Sequence, residues 1–256
     1  MKLYRSLIYR ELKLTRKRFI LMLILFLLLA LLMMTPLILV FIFKPVEGEE
    51  SPLEMIPLFV GIVALTGGFM AGTNNGLQKA DISSGWKRYS FVLPPTAKQQ
   101  ALSDLLTKLC YILFFGLLSW AFEFVYTAAA DYSNFGIMLY IYMLNIYLGA
   151  VCAVMLVDIA YGYIMMFAKD KTQLKLISVL AFVGAGFVFR VFGLFPSMNK
   201  AGKPAEDDAM ISEEAVNKFE TILCSGKTML CILAVFVVLC VLFFLAMWRS
   251  HERREL

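Results

Sequence analysis

Three ionisable residues stand inside apolar stretches of this sequence, and they are its best candidates for chemistry. Glu123, Asp158 and Arg190 each interrupt a run long enough to cross a bilayer. Such a side chain is costly in hydrocarbon unless it faces a partner or water, so it commonly marks an ion pair or a transport pathway. Glu123 and Arg190 fall at similar predicted depth, which favours a buried Glu123–Arg190 pair; alternatively, each reaches the outer interface separately. Asp158 could neutralise a basic substrate group or pair with Lys169 or Lys175.

Motifs for catalysis or metal binding are missing from the sequence. The single histidine, His251, lies in the C-terminal tail, which excludes histidine-based catalysis within the membrane. The five cysteines include no CxxC pair, so neither a zinc site nor a disulfide framework is indicated. The run Ser-Gly-Lys-Thr at 225–228 imitates the end of a phosphate-binding loop, but Thr221 occupies the position of the required first glycine. We therefore expect a chain that is not an enzyme and binds no cofactor or metal of its own.

The elements that position these residues are apolar helices. With 61% apolar and 17% charged residues, the 256-residue chain is too hydrophobic for a water-soluble domain. A helix needs about 20 apolar residues to cross a bilayer. The sequence therefore predicts an all-α polytopic membrane protein, organised as a single transmembrane domain over 1–256, with six spans at 19–43, 56–77, 105–129, 137–167, 174–195 and 228–248.

The segment 2–18, ahead of the first predicted span, is amphipathic. Leu3, Leu7, Ile8 and Leu12 share one helical face, and basic residues surround the other. This pattern is typical of an interfacial helix that lies on an anionic leaflet. A second interpretation is a basic flank that only determines topology, and both can hold.

Glycines recur at four-residue intervals on the second predicted span, at Gly68, Gly72 and Gly76. This spacing lets another helix approach closely, because packing rather than a hydrophobic driving force holds helices together in lipid. Packing inside one chain is favoured over a dimer interface.

Basic residues are distributed unequally between the two sides of the predicted bundle. With the N-terminus in the cytoplasm, 18 of the 24 Lys and Arg residues fall on the cytoplasmic side or its flanks. Positive charge collects on the cytoplasmic side of membrane proteins. We therefore predict a multi-pass protein of the cell membrane with both termini in the cytoplasm, a cytoplasmic loop at 78–104 and an extracellular segment at 196–227.

The cytoplasmic loop carries a recognisable passage, Trp86-Lys-Arg-Tyr89-Ser-Phe-Val-Leu-Pro94, followed by Thr96 and Lys98. It resembles the W-x-x-Y…L-P-x-[ST] passage of ABC-2 type permeases, in the branch that includes the phenol-soluble modulin exporters of Gram-positive bacteria. Pro95 replaces the more usual small aliphatic residue. The six-span layout extends the resemblance over essentially the whole chain.

This resemblance implies an exporter in which two permease subunits, two copies or a copy and a sister subunit, bind two separate ATP-binding cassette ATPases. ATP and Mg²⁺ would then bind only to the ATPases. Amphipathic peptides are the implied substrate, lipid surrounds the chain, and nucleic acid is not an expected partner. The expected ATPase-coupling residues are Trp86, Lys87, Arg88, Tyr89, Lys169, Asp170 and Lys171. Trp86 and Tyr89 could instead be interfacial membrane anchors.

Two other classes of protein fit the same pattern. A permease for bacteriocin immunity or drug efflux would have identical architecture and differ only in what it transports. A non-transporting membrane scaffold would have no ATPase encoded in a neighbouring reading frame.

Overall fold

The computed structural model describes residues 2–43, 56–72, 96–129, 136–167 and 223–255. This part of the chain is helical. Its five helices, numbered in chain order, are α1 (Lys2–Phe43), α2 (Ile56–Gly72), α3 (Ala97–Ala129), α4 (Gly136–Phe167) and α5 (Gly226–Glu255).

Four of these helices are long and apolar enough to cross a membrane. Their apolar spans are Thr15–Thr35, Ala97–Ala128, Ile137–Ala160 and Gly226–Glu252, and a shorter apolar helix covers Pro57–Gly72. The prediction of an all-helical membrane protein is therefore confirmed. The count of six spans stays a prediction, since the proposed span at 174–195 lies outside the described residues.

The start of the chain differs from the sequence prediction. We expected a separate interfacial helix over 2–18, but α1 is one helix from Lys2 to Phe43. Leu, Arg, Lys and Glu are good helix formers and no glycine or proline occurs before Pro36, so nothing interrupts the backbone hydrogen bonds near residue 18. At 1.5 Å per residue α1 is about 63 Å long, roughly twice the ~30 Å hydrocarbon layer. Part of α1 must therefore extend beyond the membrane.

The end of the predicted cytoplasmic loop is also helical. α3 begins at Ala97, whereas the loop was predicted to continue to residue 104. The backbone N–H of Thr96 donates to the Gln99 side-chain oxygen over 3.0 Å, while the Thr96 carbonyl accepts from the backbone N–H groups of Gln99 and Gln100. This cap satisfies groups that a helix end otherwise leaves unpaired, so α3 can start in a polar segment.

Side-chain contacts define the directions of the helices. Gly61 lies against Tyr142, and Gly72 lies against Val154, so α2 and α4 run in the same direction. α3 runs opposite to α4, because Lys108 near its start meets Asp158 near the end of α4. α1 runs parallel to α3, because Thr15 contacts Tyr111 and Phe26 contacts Phe115. α5 runs opposite to α3, because Phe243 meets Lys108 and His251 meets Asp104. The starts of α1 and α3 therefore gather with the ends of α2, α4 and α5 at one end of the bundle, which we call the polar end.

α4 is the central helix of the described bundle. It packs against α2 on one side and α5 on the other, and its span is the most buried of the four. A Cβ atom at Gly68 would lie 2.6 Å from the Tyr147 carbonyl oxygen and 2.7 Å from the Ala150 Cβ. Gly68 and Gly72 thus allow close packing inside one chain, as predicted; Gly76 lies outside the described residues.

Candidate functional site

The most unusual feature of the bundle is an ion pair buried among three helices. The Lys108 ammonium on α3 lies 2.5 Å from a carboxylate oxygen of Asp158 on α4, and the two side chains are 0% and 3% exposed. On the third side the Lys108 nitrogen lies 4.5 Å from the centre of the Phe243 ring on α5. A cation over an aromatic face gains further electrostatic attraction.

Burial makes this pair a strong constraint on the fold. Removing two charges from water costs several kcal/mol per ion, and their mutual attraction offsets that cost only while the geometry is kept. The Lys108–Asp158 pair therefore fixes the depth and rotation of α3 relative to α4. Lys175 and Lys169, the partners considered for Asp158 from the sequence, lie outside the described residues.

Lys108 was not singled out from the sequence. It lies only three residues inside the predicted span 105–129, where it resembles an ordinary basic residue flanking a cytoplasmic loop. The signals present in the sequence are the uncharged, largely apolar run that follows Lys108 and the capping pattern at Thr96. Together they place Lys108 in the fourth turn of a helix that starts at Ala97.

Two further contacts join the end of α5 to the start of α3. The His251 ring nitrogen lies 2.9 Å from a carboxylate oxygen of Asp104, with both side chains partly buried. The Lys98 ammonium lies 4.4 Å from the centre of the Trp248 ring. His251 was predicted to lie in a basic tail, but it belongs to α5 and packs on the bundle. Lys98 and Asp104 thus connect the first turns of α3 to α5. Lys108, one turn after Asp104, connects α3 to α4.

A second group of buried polar side chains lies towards the opposite end of the bundle. Glu123 on α3 has no exposed area, and neither of its carboxyl oxygens has a hydrogen-bond partner among the described residues. Glu123 is thus enclosed within the bundle. Arg190 lies outside the described residues, so the Glu123–Arg190 pair stays a prediction. On α4, the Asn145 side-chain NH₂ donates to the Leu223 carbonyl over 2.5 Å.

The residues expected to couple to an ATPase lie outside the described residues: Trp86, Lys87, Arg88, Tyr89, Lys169, Asp170 and Lys171. Within the described helices, no three His, Cys, Asp or Glu side chains come together as metal ligands. The chemistry available in the described bundle is therefore that of the Lys108–Asp158 pair, the Asp104–His251 contact and the Glu123 carboxyl group.

Tyr147 provides a test of how polar contacts hold the centre of the bundle. Its hydroxyl donates to the Ile112 carbonyl over 2.5 Å, and the side chain is buried between α4 and α3. Tyr147→Phe removes this bond and should lower the free energy of unfolding by about 1 kcal/mol. The measurement is thermal unfolding in detergent, with the exposed Tyr9→Phe as control. Equal unfolding temperatures for the two variants would contradict a stabilising role for this bond.

No family model, curated protein or solved structure matches the chain. Its class therefore follows from its own structure. The protein is an all-helical membrane protein with an ion pair buried where three of its helices meet.

Proposed function

We propose that this chain is the membrane-spanning permease subunit of an ATP-binding cassette exporter that moves amphipathic peptides. Separate ATPase subunits, holding ATP and Mg²⁺, would bind the loops at 78–104 and 168–173. The observation that carries the proposal is the polar passage Trp86-Lys-Arg-Tyr89 with Leu93-Pro94, placed between two apolar helices. An aromatic anchor flanked by cationic side chains suits docking into a pocket with an acidic rim.

The positions of the helix ends support this proposal. α2 ends and α3 begins at the polar end of the bundle, where α1 also begins and α5 ends. The segment between α2 and α3 therefore starts and finishes on the same side as both termini. The excess of Lys and Arg on that side favours a cytoplasmic location, where a soluble ATPase could reach it.

A second support is the way α3 is attached to its neighbours. α3 starts directly after the polar passage, and Asp104 and Lys108 connect its first turns to His251 on α5 and Asp158 on α4. A displacement of the passage by an ATPase would move α3, and these contacts would carry the movement to two other helices. Such a connection is what coupling between a soluble motor and a membrane pathway requires.

The proposed six-span topology accounts for a further feature. α4 ends at the polar end, whereas α5 begins at the opposite end, near Asn145. The chain must therefore pass from one side of the bundle to the other between residues 167 and 223. A fifth span at 174–195 followed by an extracellular segment at 196–227 would make this passage.

The coupling assignment is tested by binding of the permease to its ATPase. Trp86→Ala and Tyr89→Ala should each weaken binding by roughly 30-fold, because a buried aromatic anchor is typically worth about 2 kcal/mol at an interface. Trp120→Ala is the matched control, since Trp120 lies on the exposed face of α3. Binding that is unchanged in both variants would remove these residues from the interface.

Orientation has an independent test. A tag inserted near residue 90 should be accessible only after the membrane is permeabilised. Labelling from outside intact cells would exclude contact with a cytoplasmic ATPase, and with it the exporter function.

A further inference from the structure

Glu123 differs from the other deeply buried ionisable side chains of the described helices. Lys108 and Asp158 form a pair, whereas both carboxyl oxygens of Glu123 lack a hydrogen-bond partner among the described residues. Its side chain is 0% exposed. Glu123 lies about 9 Å along the helix axis from Ala129, the end of α3 that is far from the polar end.

Few charged groups of the surrounding helices could compensate a carboxylate at this position. α2 has no charged residue, and α1 has none from Phe19 to Phe43. On α4, Asp158 is bound to Lys108, which lies about 22 Å along α3 from Glu123. On α5, Lys227 is exposed near the start of the helix, and Arg249, His251 and Glu252 lie near its far end.

The other titratable groups on this side of the bundle carry no charge when protonated. They are the phenols of Tyr126, Tyr140, Tyr142 and Tyr147 and the thiols of Cys224 and Cys231. An isolated carboxylate in apolar surroundings is far more costly than the neutral acid, because only the ion loses the full solvation energy of a charge. Burial and the absence of a described partner therefore favour the neutral acid.

A second unpartnered group shares the face of α3 with Glu123. Ser119, one turn earlier, is also buried, and its hydroxyl has no hydrogen-bond partner among the described residues. Residues four apart on a helix lie side by side. α2 approaches closely here, since a Cβ atom at Gly67 would overlap the Ser119 hydroxyl. The acid and the hydroxyl thus lie where α2 packs closely on α3.

We propose that Glu123 is a proton-binding site whose carboxyl group holds a proton in the packed bundle and exchanges it on the side opposite the polar end. The carboxyl group is completely enclosed, so a cation larger than a proton, such as an amine, could bind only if the helices separated. We therefore favour a proton as the ligand. Loss of the proton places an unpaired charge beside the α2–α3 contact, so the two protonation states differ in how tightly these helices pack. This site is independent of the proposed exporter function.

Infrared spectroscopy of the full chain in lipid membranes tests the proposal. The neutral acid should give a carbonyl stretching band at neutral pH, and Glu123→Gln should remove it. Glu252→Gln, at an exposed position on α5, is the control and should leave the band in place. A spectrum without the acid band, or one in which Glu123→Gln removes a carboxylate band instead, would overturn the proposal and indicate pairing with a cation such as Arg190.

Chemical labelling of the unmodified protein gives a second test that needs no variant to fold. Dicyclohexylcarbodiimide adds to protonated carboxyl groups in apolar surroundings, and the product is detected as a mass increase on the peptide that contains Glu123. Labelling should occur at neutral pH and decline as the pH rises. Absence of label on Glu123 while other membrane carboxyl groups of the sample react would also overturn the proposal.

Discussion

Lys108→Met alone should lower the free energy of unfolding by about 3–5 kcal/mol, because it leaves Asp158 buried without its cation. The two side chains are 0% and 3% exposed and 2.5 Å apart, so water cannot replace the lost partner. Asp158→Asn should have a similar effect, because it leaves the Lys108 ammonium buried without its carboxylate. Either single variant should give much less folded protein in detergent, measured by thermal unfolding and by the monodisperse fraction on size exclusion.

The double variant Lys108→Met plus Asp158→Leu separates pairing from simple loss of a polar residue. Replacing a buried ion pair by apolar side chains of similar volume is often neutral or stabilising. The double variant should therefore be more stable than either single variant. Lys13→Met, at an exposed position on α1, is the control and should change little. Additive losses in the double variant would show that the two charges do not interact.

Gly68→Leu should prevent close packing of α2 on α4 and cause a large loss of folded protein. Even an alanine Cβ at this position would meet the backbone oxygen of Tyr147 at 2.6 Å, and a backbone atom cannot rotate away as a side chain can. Overpacking of this kind costs about 1–3 kcal/mol for a small group. Gly68→Ala should fall in that range, and leucine should exceed it, as measured by thermal unfolding.

Gly149 on α4 provides the matched control for this experiment. A Cβ atom there would meet nothing within 4 Å. Alanine also stabilises a helix relative to glycine by roughly 0.5–1 kcal/mol. Gly149→Ala should therefore be neutral or stabilising. If Gly68→Ala and Gly149→Ala shift the unfolding temperature equally, then α2 and α4 do not pack as closely as the structure indicates.

The glycine spacing shows which parts of the fold could be predicted. Gly68 and Gly72 lie four residues apart, and this periodicity alone identified a helix face that another helix approaches. The identity of that helix could not be predicted, because every other apolar helix was an equally suitable neighbour. The structure assigns α4, with Tyr147, Ala150 and Val154 as the residues in contact.

The candidate site was predicted less completely than the fold. Glu123 and Asp158 were identified because a charge within an apolar run is visible in the sequence. Lys108 was missed, because it lies close to a basic loop and resembles an ordinary flanking residue. The Asp104–His251 contact joins residues 147 positions apart, and no local pattern relates them.

Apolar composition and the length of the runs were enough to predict a helical membrane protein. In lipid each backbone polar group needs an internal partner, and for chains of this pattern the helix meets that requirement. The meeting of Lys108 with Asp158 and the enclosure of Glu123 depend on the relative depth and rotation of several helices. One residue of displacement changes depth by about 1.5 Å and rotates a side chain by roughly 100°. Tertiary packing alone therefore decides which charges pair and which stay without a partner.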